Sequence, residues 1–543
     1  MLPLAPDYYR RNFLFLIDFV RRHRGHLIDA ELADFLARFE GLPHPAQALY
    51  VRMLTRKGSL FRSDKLIYDE IGEPTPALSA LTEAALVQRD PPLGIATLGA
   101  LLRQSELNTL PVAQPHRRDR PNKGTLLNRL AEQTLPDQPL SLWWPEAPFT
   151  LIGQADEEPV ERLQLLFFGN LHQSLSEFVV ASLAHIRYPD VPLTPEAFPF
   201  QSAESVRRYQ RREQRAQAWE QGELASAEWA DSLGQPDAEA KLERQRQRHA
   251  FTLARQYERE GEESRALSLY QGCYFGEARE RRLRLLYARQ AYREALAVAL
   301  SMRAQPDSEQ ERVVAERFLS RLSRHLWTGK PAEMAAPPQR REMSLSWEGD
   351  VESAVAEAFR ASGGRAWHTE NALINGVAGL LLWPVIHAPV SGAFVQPFQH
   401  RPLDLYHPDF LPRRRNRLEQ ELVRWRALSR PAFVRELVAR YRQYQGTRCA
   451  LVNWKQLPEE AFVEAVSALT PGQWLGLTRY LMADLRTRRS GQPDLLVVTS
   501  AGISLVEVKG PGDSLRDHQR RWLAELSRLS IDNCVLWVSR ADA

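Results

Sequence analysis

Two short apolar runs separated by four turn-forming residues constrain this chain more than any other feature, because they specify a β-hairpin with charge at its open end. Asp494-Leu495-Leu496-Val497-Val498 and Ile503-Ser504-Leu505-Val506-Glu507-Val508 are rich in branched apolar residues and flank Thr499-Ser500-Ala501-Gly502, a tight turn. Side chains on a strand alternate faces, so Glu507 and Lys509 share a face with Ile503 and Leu505, and antiparallel pairing brings Asp494 beside the end of the second strand. The spacing thus gathers Asp494, Glu507 and Lys509 at one end of a sheet. A Glu-x-Lys pair on a strand is often only a solvated ion pair. Here the charges continue an apolar face, which gives them no obvious structural purpose.

Oxygen donors with no soft ligand among them suit magnesium or manganese, which keep several waters and bind through one or two carboxylates plus a substrate phosphate. A cation so held polarises a scissile phosphate and lowers the pKa of a bound water, while the Lys509 ammonium orients that water or offsets charge developing on the phosphorane. Phosphodiester hydrolysis with one or two Mn2+ or Mg2+ ions is the expected chemistry. Beyond the hairpin, Gly510-Pro511-Gly512-Asp513 reads as a sharp loop, and Leu515, Gln519, Trp522, Leu523, Leu526 and Leu529 recur at helical spacing. Cys534-Val535-Leu536-Trp537-Val538 reads as a further strand, giving a strand-strand-helix-strand unit of α/β type, with Gln519 one turn into the helix and placed to support the site.

The run Gly491-Gln492-Pro493-Asp494 with Val506-Glu507-Val508-Lys509 resembles, from Ser490 to about Leu526, the VRR-NUC domain, a branch of the PD-(D/E)xK nuclease superfamily. A second block, Trp367-His368-Thr369-Glu370-Asn371-Ala372-Leu373 with Gly392-Ala393-Phe394 and Gln396-Pro397-Phe398-Gln399, resembles the block preceding that domain in the Fanconi-associated nuclease family. The resemblance covers much of residues 340–543. It implies a mixed-sheet nuclease fold, a helix-borne glutamate at Glu370 completing the metal site, and the main-chain carbonyl of Val508 as a further metal ligand. It also implies 5′ flap endonuclease and 5′-to-3′ exonuclease action on branched DNA, in unhooking interstrand crosslinks. From the residues alone, Glu370, Leu373, Val377, Leu380 and Leu381 form one helical stripe, placing Glu370 on the face that packs on the core. An exposed glutamate at a helix start, favoured by the helix dipole, is the alternative.

The rest of the 543 residues suggests three further regions ahead of a nuclease domain at 341–543. With 71 Lys plus Arg against 67 Asp plus Glu, the net charge of +4 does not announce nucleic acid, so local patches carry that argument. Residues 1–74 read as a helical DNA-binding region in which Arg52, Arg56, Lys57, Arg62 and Lys65 lie among Tyr50, Phe61 and Tyr68, a mixture that can hold a phosphate backbone and stack on a base. An exposed helix face over core aromatics explains the same pattern. Residues 75–160, with Arg117, Arg118, Arg120 and Lys123 between leucine-rich helical stretches, resemble a SAP-type module that presents amides and basic side chains to duplex backbone. Residues 161–340 are helical in pattern; Ala254, Tyr257, Gly261, Ala266, Leu267 and Tyr270, then Tyr287, Ala291, Tyr292, Ala295, Leu296 and Ala299, resemble tetratricopeptide-like helix pairs, though an ordinary bundle would also fit. Pro331 and Pro337-Pro338 mark the boundary with the nuclease region.

The expected architecture is therefore multidomain, mostly α-helical at the front and centre, with a C-terminal α/β nuclease domain. Cys273, Cys449 and Cys534 are odd in number and far apart, which argues against a disulfide framework or zinc cluster. No apolar run is long enough to span a bilayer. Expected partners are branched or flapped DNA with a 5′ end and repair proteins docking on the helical region, with no membrane, for a cytoplasmic monomer or weak dimer that joins the nucleoid when acting. Two rival readings are a Holliday-junction resolvase, which more often works as a short symmetric dimer, and a non-catalytic repair scaffold on branched DNA.

Overall fold

A computed structural model of the chain describes residues 6–119, 121–133, 135–155, 157–173, 178, 187–193, 198–275, 277–326 and 338–541. The chain divides into two compact units, Met1–Ala184 with Phe200–Glu213 and His185–Pro199 with Gln214–Ala543.

The first unit begins with helices Tyr8–Arg24, Ala30–Glu40 and His44–Leu54. In Tyr8–Arg24 the residues Tyr9, Phe13, Leu16, Ile17 and Val20 recur at three- and four-residue steps and are all buried, so one stripe faces the core. Asp29 caps the next helix by accepting from the Leu32 amide at 2.8 Å. A three-stranded antiparallel sheet of β1 (Leu60–Arg62), β2 (Val87–Arg89) and β3 (Leu151–Gln154) runs in the order β1-β3-β2. This sheet was not expected from the sequence: its strands are three or four residues long and their partners lie far apart in the chain. A separate core of Leu98, Leu107, Leu126, Leu130, Leu140 and Trp143 fills residues 93–151.

In the second unit helix Ser226–Ser232 precedes two antiparallel helix pairs, Ala240–Arg259 with Glu263–Gln271 and Ala278–Ala288 with Tyr292–Ala304, followed by Glu309–Leu326. Gly261 (φ +79°) and Gln290 (φ +60°) turn the two pairs, and Ala254, Tyr257, Ala266 and Tyr270 are buried as repeat packing requires. Pro331 and Pro337 lie outside the described residues.

The C-terminal region is built on a mixed sheet of β4 (Arg340–Leu345), β5 (Arg365–His368), β6 (Leu495–Thr499), β7 (Gly502–Lys509) and β8 (Asn533–Arg540), in the order β4-β8-β7-β6-β5. β5, β6 and β7 pair antiparallel, whereas β7, β8 and β4 pair parallel, with helix Asp517–Arg528 crossing between β7 and β8. Alternation sorts the side chains onto two faces. Leu495, Val497, Val506 and Val508 pack with Val355 and Ala356 of helix Val351–Ala361, while Leu496 and Leu505 join Trp522, Leu526 and the large helical core around Leu380, Trp425 and Leu477. No helix among the described residues is long and apolar enough to cross a membrane.

Candidate active site

The β6–β7 hairpin has the turn and register that the residue pattern predicts. Leu495 pairs with Val506 and Leu496 with Leu505, so stepping the ladder back by one residue sets Asp494 opposite Glu507. Asp494 Oδ2 accepts a hydrogen bond from the Val508 amide at 2.8 Å, which fixes the carboxylate against the neighbouring strand. Glu507 is fully buried (0 % exposed), with Asp494 at 7 % and Lys509 at 8 %. Lys509 Nζ donates to Glu507 Oε1 at 2.6 Å, and Gln519 Nε2 from the crossing helix donates to the same oxygen at 2.5 Å. Glu507 Oε2 is buried and accepts no hydrogen bond.

Glu370 reaches the same place by a different route from the one its helical stripe suggests. The helix starts only at Leu373, and Glu370 sits in a turn between it and β5. The physical reason is that the β ladder persists one residue further: the Thr369 amide donates to the Asp494 carbonyl at 2.9 Å, and Asn371 then takes a left-handed conformation (φ +54°) that turns the chain into the helix. Asn371 also organises the loop before Asp494. Its Nδ2 donates to Glu370 Oε1 at 3.0 Å and its Oδ1 accepts from the Gln492 amide at 3.2 Å. Gln492 Nε2 in turn donates to Asn375 Oδ1 at 2.7 Å.

Two further residues belong to this place that the sequence reading did not single out. His368, the last residue of β5, pairs with Leu495. Donor atoms of His368, Glu370 and Asp494 all lie within 4.8 Å of one another. Glu352, in the first turn of helix Val351–Ala361, is close enough to Asp494 to perturb its ionisation.

The electrostatics follow from burial. Desolvation pushes the Asp494 carboxyl up to about 6; the Val508 amide and Lys509 pull it down, and Glu370 and Glu352 push it further up. Glu507 is raised to about 7, first by desolvation and then by the facing Asp494 charge, against the opposing pull of Lys509. The Asp494 charge raises the cost of ionising Glu507, a cost that a dication between them would offset. Several hard oxygen donors, an orphaned Glu507 oxygen inside the protein and a surplus of negative charge fit a divalent cation.

The residues expected to contact DNA are placed less uniformly. Arg62 ion-pairs with both Asp64 (2.9 Å) and Glu106 (2.8 Å), lies over the Phe149 ring and is only 11 % exposed. Arg52 pairs with Glu70 at 2.5 Å between the Tyr9 and Tyr68 rings. Lys123 Nζ donates to the Leu102 carbonyl at 2.7 Å. Arg56, Lys57 and Lys65 are exposed, Arg56 donating to the Lys65 carbonyl at 3.0 Å. Arg120 and the side chains of Arg117 and Arg118 lie outside the described residues.

Comparison with known proteins agrees with this geometry. Residues 7–88 match the family described as "FAN1, HTH domain", and residues 430–540 match the "VRR-NUC domain". The chain is 35% identical to the Fanconi-associated nuclease 1 homolog of Pseudomonas aeruginosa over 95% of its own length and 93% of that protein. It is 33% identical to Fanconi-associated nuclease 1 of Homo sapiens, over 34% of its length and 18% of the human protein. Among solved structures, paFAN1 bound to 2-nucleotide 5′ flap DNA with a gap superposes with a TM-score of 0.88 at 32% identity, covering 100% of both chains. A 1-nucleotide flap complex gives 0.86 at the same identity, over 99% of this chain and 100% of that one. With its acidic pocket at the mouth of a β-hairpin and this likeness along nearly its whole length, the chain belongs to the Fanconi-associated nuclease 1 family of metal-dependent, structure-specific DNA repair nucleases.

Proposed function

We propose that the chain is a 5′ flap endonuclease and 5′-to-3′ exonuclease on branched DNA, with interstrand crosslinks as its repair substrate. The observation that carries this reading is the pairing of Asp494 with Glu507 across β6 and β7, with Lys509 on one Glu507 oxygen and the other oxygen unpartnered. The flap DNA in the related solved structures supports the choice of substrate.

In this reading Asp494, Glu507, Glu370 and the Val508 carbonyl would hold one or two Mn2+ or Mg2+ ions, whose charge would polarise a scissile phosphate and lower the pKa of a bound water. Glu507 and Asp494 must both be ionised for this, so they lose their protons on loading. Lys509 exchanges its contact with Glu507 for the attacking water or the phosphate oxygens, where its charge is worth more. Gln519 stays on Glu507 and keeps that carboxylate aimed into the pocket.

Exposed Arg56, Lys57 and Lys65 in residues 1–74, together with the SAP-like module of residues 75–160, would grip duplex backbone without reading sequence. The tetratricopeptide-like region at 161–340 would offer a surface to repair proteins. A monomer, or a weak dimer, suffices for an asymmetric flap.

The test is digestion of end-labelled 5′ flaps, 3′ flaps, gaps and four-way junctions with magnesium, manganese or chelator. Metal-dependent cutting near the 5′ flap, products with 5′ phosphates and trimming from the 5′ end are expected. Asp494→Ala should abolish cleavage while flap binding persists. Substantial residual cleavage by Asp494→Ala, or preference for four-way junctions, would reject the proposal.

A further inference from the structure

Seen as donor sets, the pocket has two sides that share Asp494. On one stands Glu507, whose Oε2 is unpartnered. On the other are His368, Glu370 and Asp494, whose donor atoms are mutually within 4.8 Å, a group that Glu507 does not join. The backbone sets up this second group. β5 is hydrogen-bonded to β6 with His368 opposite Leu495, and the ladder extends through the Thr369 amide to the Asp494 carbonyl. Asn371 holds Glu370 by Oε1, and one Glu370 oxygen lies within 4.8 Å of the His368 and Asp494 donor atoms. His368 is exposed, and no protein group among the described residues hydrogen-bonds its imidazole.

We infer that His368 supplies a nitrogen donor to a cation held with Glu370 and Asp494, and that this position selects manganese over magnesium. The inference rests on reading the pocket as the metal centre. Magnesium asks for near-octahedral oxygen at short distance and dehydrates reluctantly. Imidazole is a softer donor, and replacing a water oxygen with it moves preference along the first-row series toward manganese and beyond. The Glu507 side, offering only oxygen, carries no such bias. One pocket would thus hold two unlike cation positions, the outer one tuned by a single histidine at a strand end.

The experiment uses the full chain without DNA and Mn2+ alone as the probe, with Mg2+ titrated in parallel. Wild type, His368→Ala, His368→Gln and Asp494→Asn are compared by calorimetry and by pulsed electron paramagnetic resonance. Thermal midpoints in chelator show that each variant is folded. The expected result is 14N coupling to bound Mn2+ in wild type that disappears in both His368 variants. A loss of about tenfold or more in affinity for one of two Mn2+ ions should accompany it, with Mg2+ affinity changing far less. If Asp494→Asn abolishes binding while wild type shows no 14N coupling, the histidine inference falls and the metal centre stands. If Asp494→Asn leaves Mn2+ binding unchanged, the metal-centre reading itself fails.

Discussion

Gln519 Nε2 and Lys509 Nζ converge on one oxygen of Glu507, at 2.5 and 2.6 Å, and leave the other oxygen bare. The two donors come from different elements, Gln519 from helix Asp517–Arg528 and Lys509 from two residues along β7. In the proposed chemistry Lys509 turns to the substrate, which would leave Gln519 as the donor that keeps Glu507 oriented.

Gln519→Ala should therefore cost about 10–100-fold in kcat or metal affinity, the range for residues that orient a ligand, with little change in flap binding. Gln519→Glu should be worse, because it adds a third negative charge against Glu507. Unchanged kcat and Mn2+ affinity in Gln519→Ala would show that Glu507 needs no second donor.

The core of this site is legible in the sequence because it is local. Asp494, Glu507 and Lys509 are joined by a four-residue turn, and a period of two decides which of them share a face. Gln519 follows from helical phase in the next element. Glu370 could be located but not shaped: its stripe with Leu373 and Val377 extrapolates smoothly into a helix, and only the ladder bond from Thr369 to Asp494 shows that the strand runs on past His368. For His368 the sequence gives a place two residues before Glu370 but no role, since its approach to Asp494 depends on pairing between β5 and β6, more than a hundred residues apart. The same non-local pairing hides the commitment of Arg62 to Glu106.

That commitment separates two kinds of arginine in the first unit. Arg62→Ala removes a cation held by two carboxylates, Asp64 at 34 % and Glu106 at 18 % exposure, and uncovers Phe149. A loss of about 2 kcal/mol is expected, below the roughly 3–5 kcal/mol of a fully buried pair because both partners remain partly solvated. Arg56→Ala with Lys57→Ala and Lys65→Ala should leave the thermal midpoint nearly unchanged but weaken flap binding and flatten its salt dependence by about 0.9 per lost phosphate contact. Denaturation and binding at several salt concentrations separate the two effects; an unaltered salt slope in the triple variant would remove this patch from the DNA interface.

Gly491 tests how rigidly the loop before Asp494 must be held. Its φ of +81° disfavours any side chain, and an added Cβ would lie 2.0 Å from Cδ2 of His518. Gly491→Ala should cost more than the roughly 1–2 kcal/mol of left-handed strain, and by shifting Gln492 and Asp494 it should depress cleavage as well. Adding His518→Ala removes the clash but not the strain, so the double variant should recover part of the thermal midpoint. Full recovery would show that the backbone at Gly491 tolerates a Cβ.

The protons on the acidic pair give the last prediction, for which the sign can be worked out. In the metal-free protein Asp494 and Glu507 stay protonated up to about 6 and about 7, whereas in the unfolded chain they ionise near 3.8 and 4.5. Between about pH 4 and 7 the folded state binds more protons than the unfolded one, so these groups make stability fall as pH rises through that window. A dication binds the ionised pair and competes with those protons. In chelator, wild type should lose thermal midpoint relative to Glu507→Gln between about pH 5 and 7.5. The rise produced by Mn2+ should be small near pH 5.5 and reach its full size by about pH 8. Equal Mn2+ shifts at the two ends would mean that both carboxyls are already ionised at the lower pH, and that burial does not hold their protons as the geometry requires.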